Sequence, residues 1–151
     1  MIGDLANAEW CLPLINQLAR AGRRAAEVAA APGDLRPRHV IALKLLSERG
    51  AMSQQTLGEL LSLDPSNVVG LLNELEGRAL TTRRRDPADR RRHIVEISQD
   101  GEAELTVATA RIVTVEDEIL QALTAGERAT LYQLLARAAA ANGVPCQEKE
   151  A

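Results

Sequence analysis

Between Arg78 and Arg92 the chain reads Arg-Ala-Leu-Thr-Thr-Arg-Arg-Arg-Asp-Pro-Ala-Asp-Arg-Arg-Arg, and no other stretch constrains the fold as much. Seven arginines and two aspartates resist burial, so the run belongs at a surface. Two β-favouring runs, Leu80 to Arg85 and Arg91 to Ser98, flank Asp86-Pro-Ala-Asp89, a turn-rich tip, and the whole reads as a hairpin. A local charge of +5 in a chain of net charge −3 leaves −8 for the remainder. Such a concentrated patch suits a nucleic-acid backbone, because neutralised phosphates release condensed counterions. Charge alone also fits a solvated basic turn.

The rest of the chain reads as helix. Its 151 residues make about one domain, and apolar residues reach 46% while aromatics reach only 1% (Trp10 and Tyr132), which points to an aliphatic, alanine- and leucine-rich helical core. A first helix is expected from about Ala8 to Ala31, carried by Leu14, Leu18, Ala21, Ala25 and Val28, with Pro13 marking a start or kink and Ala31-Pro-Gly-Asp34 a stop. A second starts at Pro37 and is capped by Gly50. Ser53 caps a short third helix with Leu57, Leu60 and Leu61 on its apolar face. Asp64-Pro65 opens a fourth to about Arg78, whose Val68, Leu71, Leu72 and Leu75 face inward and Ser66, Asn67, Gly70, Asn73, Glu74 and Gly77 outward. After the hairpin, Leu105, Ala108, Ile112, Val115, Ile119 and Leu120 suggest a long helix, and Thr124 caps a last one through Leu131, Leu134, Leu135 and Ala138. Gly143-Val-Pro145 ends regular structure.

Helix, helix, turn, helix and charged hairpin in this order form a winged helix-turn-helix, in which the second helix of the pair enters the major groove and the hairpin reaches the minor groove or backbone. Ser66, Asn67 and Asn73 offer hydrogen bonds to base edges, the helix N-terminus favours phosphate, and a tip arginine suits a narrow minor groove. Ser66 and Asn67 fit ordinary capping equally well.

At Leu63-Asp-Pro-Ser-Asn-Val-Val-Gly-Leu-Leu-Asn-Glu-Leu-Glu-Gly-Arg-Ala-Leu80, and above all at Asp86-Pro-Ala-Asp-Arg-Arg-Arg-His-Ile-Val-Glu-Ile-Ser-Gln-Asp-Gly101, the chain resembles the MarR (multiple antibiotic resistance regulator) family of bacterial transcription factors. The resemblance implies a mainly α fold with a small β-hairpin wing: dimerisation helices at 1–34 and 100–143, a winged lobe at 35–99 and a flexible tail at 144–151, all within a single domain. It further implies a homodimer on a pseudo-palindromic operator in double-stranded DNA, acting as a repressor in the family's commoner mode and released by a small anionic or phenolic effector or by oxidation. Carried over by position, Pro65 to Gly77 is the recognition helix, with Ser66, Asn67 and Val69 nearest the bases. Arg90 is the wing-tip arginine, and Asp89 pairs with Arg91 to hold the loop. The full DNA-facing set is Ser53, Gln54, Gln55, Pro65, Ser66, Asn67, Val69, Asn73, Arg83, Arg85, Asp89, Arg90, Arg91 and Arg92. The chain departs from the family at Gly70, where relatives often carry arginine, and at Ala79, where the helix-ending glycine usually stands; the second implies a different helix exit.

Apolar residues on several faces of the terminal helices, Leu5, Trp10, Leu12, Leu14 and Ile15 at one end and Leu131, Leu134 and Leu135 at the other, independently call for a second copy. Trp10 reads as an interface or core anchor. An anionic effector would sit between the dimer helices and the winged lobe, near His39 or an arginine such as Arg20, Arg23, Arg36 or Arg38, although His39 near a helix start equally fits a solvated or capping role. Cys11 lies where the hydroperoxide-sensing branch of the family carries its reactive cysteine, but Ile15 and Ala25 stand about where that branch has tyrosines, and a buried inert thiol is the alternative. Cys146 serves at most as a flexible resolving partner. Neither cysteine has metal-ligand spacing, no cofactor motif is present, and His39 and His93 lack the surroundings of a catalytic base, so neither a metal site nor an enzyme is expected. With no run of 18 apolar residues and no signal peptide, the expectation is a cytoplasmic protein without membrane association. The remaining rival is a winged helix used for protein assembly or non-specific nucleic-acid binding.

Overall fold

The apolar spacing resolves into helices α1 (Cys11–Ala29), α2 (Pro37–Arg49), α3 (Gln54–Leu60), α4 (Pro65–Gly77), α5 (Gln99–Ile119) and α6 (Ala125–Ala141), with strands β1 (Met52–Ser53), β2 (Thr81–Arg85) and β3 (His93–Ile97). These belong to a computed structural model that describes residues 9–143. Leu5, Cys146 and the expected tail at 144–151 lie outside those residues.

Side-chain caps set the starts of α3, α4, α5 and α6. Ser53, Asp64 and Ser98 accept from the main-chain N–H of Thr56 (3.0 Å), Asn67 (3.0 Å) and Gly101 (2.9 Å). Thr124 and Glu127 form a reciprocal capping box. Each such cap is worth about 1 kcal/mol. The exits of α3 and α4 share one geometry. Leu63 and Leu80 donate back to the carbonyls of Gly58 and Leu75, each at 3.0 Å, while Ser62 and Ala79 donate to Glu59 and Glu76. This is the Schellman motif, and it requires a left-handed residue just past the helix. Ser62 (φ 53°) and Ala79 (φ 59°) fill that place. The α4 exit is therefore the one a glycine would give, made here by an alanine at a cost of about 1–2 kcal/mol, and not the different exit that Ala79 implied.

The expected hairpin forms with Arg83 opposite Val95 and Arg85 opposite His93. It is not alone: β1 pairs with the far side of β3, Met52 opposite Val95 and Ser53 opposite Ile94, giving an antiparallel sheet of order β1-β3-β2. The core lies in the winged lobe. Leu43, Leu46, Leu57, Val68, Leu71, Leu72, Leu75 and Val95 are fully buried, and Leu105 and Ala108 of α5 close it. Each such side chain contributes about 1.5–3 kcal/mol of burial. Gly101, in the first turn of α5, lets the helix lie directly on the Leu80 carbonyl, and Gly58 lets α3 lie on Val68. An Asp34–Arg111 ion pair ties the α1–α2 loop to α5.

By contrast, α1 and α6 bury no residue. Leu12, Leu14, Ile15 and Leu18 on α1, Ile112 and Val113 on α5, and Tyr132, Leu134 and Leu135 on α6 stand exposed, as does Trp10 at 56%, so Trp10 is no core anchor within this chain. Among the described residues no helix is long and apolar enough to cross a membrane.

Candidate nucleic-acid interface

Helix α4 buries Val68, Leu71, Leu72 and Leu75, and this turns Ser66, Asn67, Val69, Gly70 and Asn73 outward. At its N-terminus the Asp64 carboxylate gathers the local donors: Ser66 Oγ at 2.7 Å, Asn67 N at 3.0 Å and Asn67 Nδ2 at 2.6 Å. These bonds, Ser66 first, hold the Asp64 carboxyl below its ordinary range. Ser66 and Asn67 therefore serve the cap as donors, which leaves the Ser66 hydroxyl oxygen, the Asn67 Oδ1 and the second Asn67 Nδ2 hydrogen for an outside partner. Pro65 leaves one fewer orphan N–H at this end.

The two carboxylates of α4 itself, Glu74 and Glu76, are paired with arginines within the chain. Glu74 receives Arg38 Nη2 at 2.7 and 2.9 Å and His39 Nε2 at 2.7 Å. His39 is buried, and its Nδ1 accepts from the Arg36 N–H at 3.3 Å, which assigns the proton of the neutral ring to Nε2. Burial is the largest influence on this imidazole and lowers it below its ordinary value of 6.5; Glu74 opposes the shift, and Arg38 and Arg36 add to it. Arg38 and then His39 hold Glu74 below the usual carboxylate range.

Glu76 is met by Arg83, with Nε to Oε1 at 2.8 Å and Nη2 to Oε2 at 2.6 Å. Arg83 also reaches Asn73 Oδ1 at 2.6 Å and Gln54 Oε1 at 3.4 Å. The Arg83 hydrogen bonds lower the Glu76 carboxyl and raise the guanidinium. Arg83 and Asn73, both expected to face DNA, are thus bonded to each other. The reason is strand parity: Arg83 pairs with fully buried Val95 and so shares its inward face.

Among the described residues, five wing arginines stand outside any ion pair. Arg84, Arg85, Arg90, Arg91 and Arg92 are exposed, and no carboxylate among the described residues holds their guanidinium groups. Arg84 is absent from the expected set; as the strand neighbour of inward-facing Arg83 it takes the opposite face. The tip is closed through main-chain bonds: Asp86 N–H donates to the Arg92 carbonyl (2.9 Å), Arg92 N–H to the Asp89 carbonyl (2.8 Å), and Arg91 N–H to Asp89 Oδ1 (3.0 Å). Asp89 therefore holds the loop through the backbone of Arg91 and not its guanidinium, which leaves that charge available. Between α3, the start of α4 and the wing lies a cleft of about 460 Å³ whose walls include Ser53, Gln54, Gln55, Pro65, Arg91 and Arg92. Ser53 is occupied as a cap, and Gln55 donates to Glu59 at 3.1 Å.

The effector and redox candidates scatter. Both ring nitrogens of His39 are used within the chain, so it offers an anion nothing, and Arg38 is held by Glu74. Arg20 is exposed on α1. Arg23 lines an apolar cleft of about 340 Å³ between α1 and α5, with Gly22, Ala26, Ile112, Val115 and Glu116. Cys11, the first residue of α1, is exposed in the single chain. Among the described residues no group of three histidine, cysteine or carboxylate side chains could hold a metal ion.

Comparison with known proteins agrees with this geometry. A sequence model of the MarR family matches residues 35–93. The HTH-type transcriptional repressor NicR of Pseudomonas putida is 30% identical over 63% of this chain and 60% of its own length; the chain spans about three fifths of the curated relatives it matches first. Among solved structures, a probable transcriptional regulator from Pseudomonas aeruginosa is 33% identical, with a TM-score of 0.68 over 84% of this chain and 96% of that one. The PcaV transcriptional regulator from Streptomyces coelicolor, in complex with its natural ligand, is 26% identical, with a TM-score of 0.70 over 85% of this chain and 91% of that one.

Proposed function

The chain belongs to the MarR family, and from that premise we propose that it is a sequence-specific DNA-binding transcriptional regulator acting as a homodimer on a pseudo-palindromic operator. One observation carries the reading: the two carboxylates of α4, Glu74 and Glu76, are each paired with an arginine from within the chain, while five wing arginines beside it meet no carboxylate among the described residues. A duplex is the partner this arrangement fits. The N-terminal turn of α4 presents its acceptors and the exposed Val69 to the major groove, and Arg90 and its neighbours reach the adjacent backbone or minor groove. The exposed apolar faces of α1, α5 and α6 support the dimer, because so much uncovered aliphatic surface is unusual on a monomer. We assign 1–34 and 100–143 to that dimerisation layer and 35–99 to the DNA-reading lobe.

Repression, and release by a small anionic or phenolic molecule, complete the proposal. Its support is kinship with a named repressor and with a regulator that binds a natural ligand. The wing is tested by Arg90→Ala, followed by fluorescence anisotropy on a bound duplex. Loss of about 1–3 kcal/mol of affinity is expected of an arginine that reads the groove, and unchanged affinity retires its assignment. Sedimentation at twice the chain mass is expected, and a monomer contradicts the dimer.

A further inference from the structure

We infer that Arg83 is a positioning residue, clamped by Glu76 so that the wing and helix α4 are held at the one angle at which both engage a specific duplex. The inference rests on the reading of the chain as a sequence-specific DNA binder and says which residues set that specificity. Four of the five guanidinium donors of Arg83 are directed at acceptors in the chain: two at Glu76, one at Asn73 and one at Gln54. A guanidinium used in this way has one donor left for a phosphate. The acceptors come from the first residue of α3 and the last two turns of α4, and the donor comes from the middle of β2. The clamp therefore joins the three elements that converge on the DNA side, through the planar fork for which arginine has no lysine substitute.

Its position at the rim separates this role from a contribution to the core. The side chains of Arg83 and Glu76 keep 20% and 30% of their exposure, and ion pairs so placed add little to stability. What they fix is geometry. The start of α4 and the wing tip are two arms that must reach DNA together, and once the angle between them loosens, the second contact loses the advantage of being tethered to the first. Backbone attraction survives such loosening, because it needs charge more than register.

The test measures binding of wild type, Glu76→Gln, Glu76→Ala, Arg83→Lys, Arg83→Ala and the double alanine variant to the duplex that wild type selects and to random duplex, across salt concentrations. Glu76→Gln removes a negative charge from the DNA side, so simple electrostatics raises its affinity for every duplex. The clamp predicts divergence: random-duplex affinity holds or rises, while selected-duplex affinity falls about tenfold, a coupling typical of networked residues. Arg83→Lys does not restore the ratio, and the double variant is no worse than Arg83→Ala. Thermal midpoints close to wild type mark the loss as one of specificity. The inference is overturned if Glu76→Gln tightens binding to both duplexes. Arg83→Ala weakening both equally, with a salt slope shallower by about 0.9, equally overturns it and makes Arg83 a phosphate contact. Wild type that prefers no duplex fails the parent reading and this one together, whereas a selective wild type with insensitive variants fails this one alone.

Discussion

Replacing Gly101 by alanine sets two effects of opposite sign against each other, and the structure decides between them. Gly101 lies in the first turn of α5, where alanine is favoured over glycine by about 1 kcal/mol on helix propensity. Its Cβ, however, would lie 2.2 Å from the Leu80 carbonyl oxygen, about 1.2 Å inside the distance at which ordinary contact begins, and 2.7 Å from Ile97 Cγ1. The closest obstacle is backbone, so no rotamer change relieves it. Overpacking of this kind costs about 1–3 kcal/mol. The same carbonyl accepts the Ser98 N–H at 2.9 Å, and displacing it forfeits about 1 kcal/mol more. The net expectation is a loss of about 2 kcal/mol, read as a lower urea midpoint at unchanged slope and matched protein concentration. Gly70→Ala is the control, since nothing lies within 4 Å of its Cβ, and it should gain about 0.5–1 kcal/mol. A Gly101→Ala protein as stable as wild type would refute the reasoning, because it would mean that the wing and α5 are not pressed together as described.

Two other substitutions follow from the same geometry. Ala79→Gly relieves the left-handed backbone at the α4 exit (φ 59°), and after the greater freedom of glycine in the unfolded chain is deducted it should raise stability by about 0.5–1 kcal/mol in urea titrations; destabilisation contradicts the assigned exit. His39 resists protonation when folded, since burial lowers its pKa below 6.5. Its contribution to stability is therefore complete above pH 6.5 and declines as pH drops from there through the folded-state value, with the unfolded chain binding the extra proton. The lowered Glu74 and Glu76 carboxyls lose their contributions only further down, as pH falls below about 4.5. His39→Gln should abolish the decline that sets in as pH falls below 6.5 in urea midpoints, and an unchanged decline assigns it to other groups.

Much of this architecture is legible in the residues because local and tertiary demands coincide. Ser53, Asp64 and Thr124 announce their helices by capping chemistry, and Val68, Leu71, Leu72 and Leu75 announce the buried face of α4 by their spacing. Strand β1 is not legible: two residues carry no period, and Met52 and Ser53 become a strand only because β3 arrives beside them. The Ala79 exit was hidden for the opposite reason, since alanine gives no sign of the left-handed conformation that tertiary packing imposes on it. Within the candidate site, the charge of the wing was plain but its division was not. Which arginines point inward depends on hairpin register, and the length of a charged tip does not fix register. Val95 and Ile97 mark the inner face of β3, yet only the observed pairing carries that mark across to Arg83. The partners of Glu74 and Glu76 were invisible for the same reason: the arginines that neutralise them lie 36 and 7 residues away along the chain.

The central claim, that α4 and the arginine wing read a defined DNA sequence as a dimer, is tested most directly by incubating the purified protein with a randomised pool of duplexes and sequencing what it retains at physiological salt. The account predicts enrichment of a palindrome with half-sites about one helical turn apart, bound about 10³-fold or more tightly than random duplex. A retained pool no different from the input contradicts it.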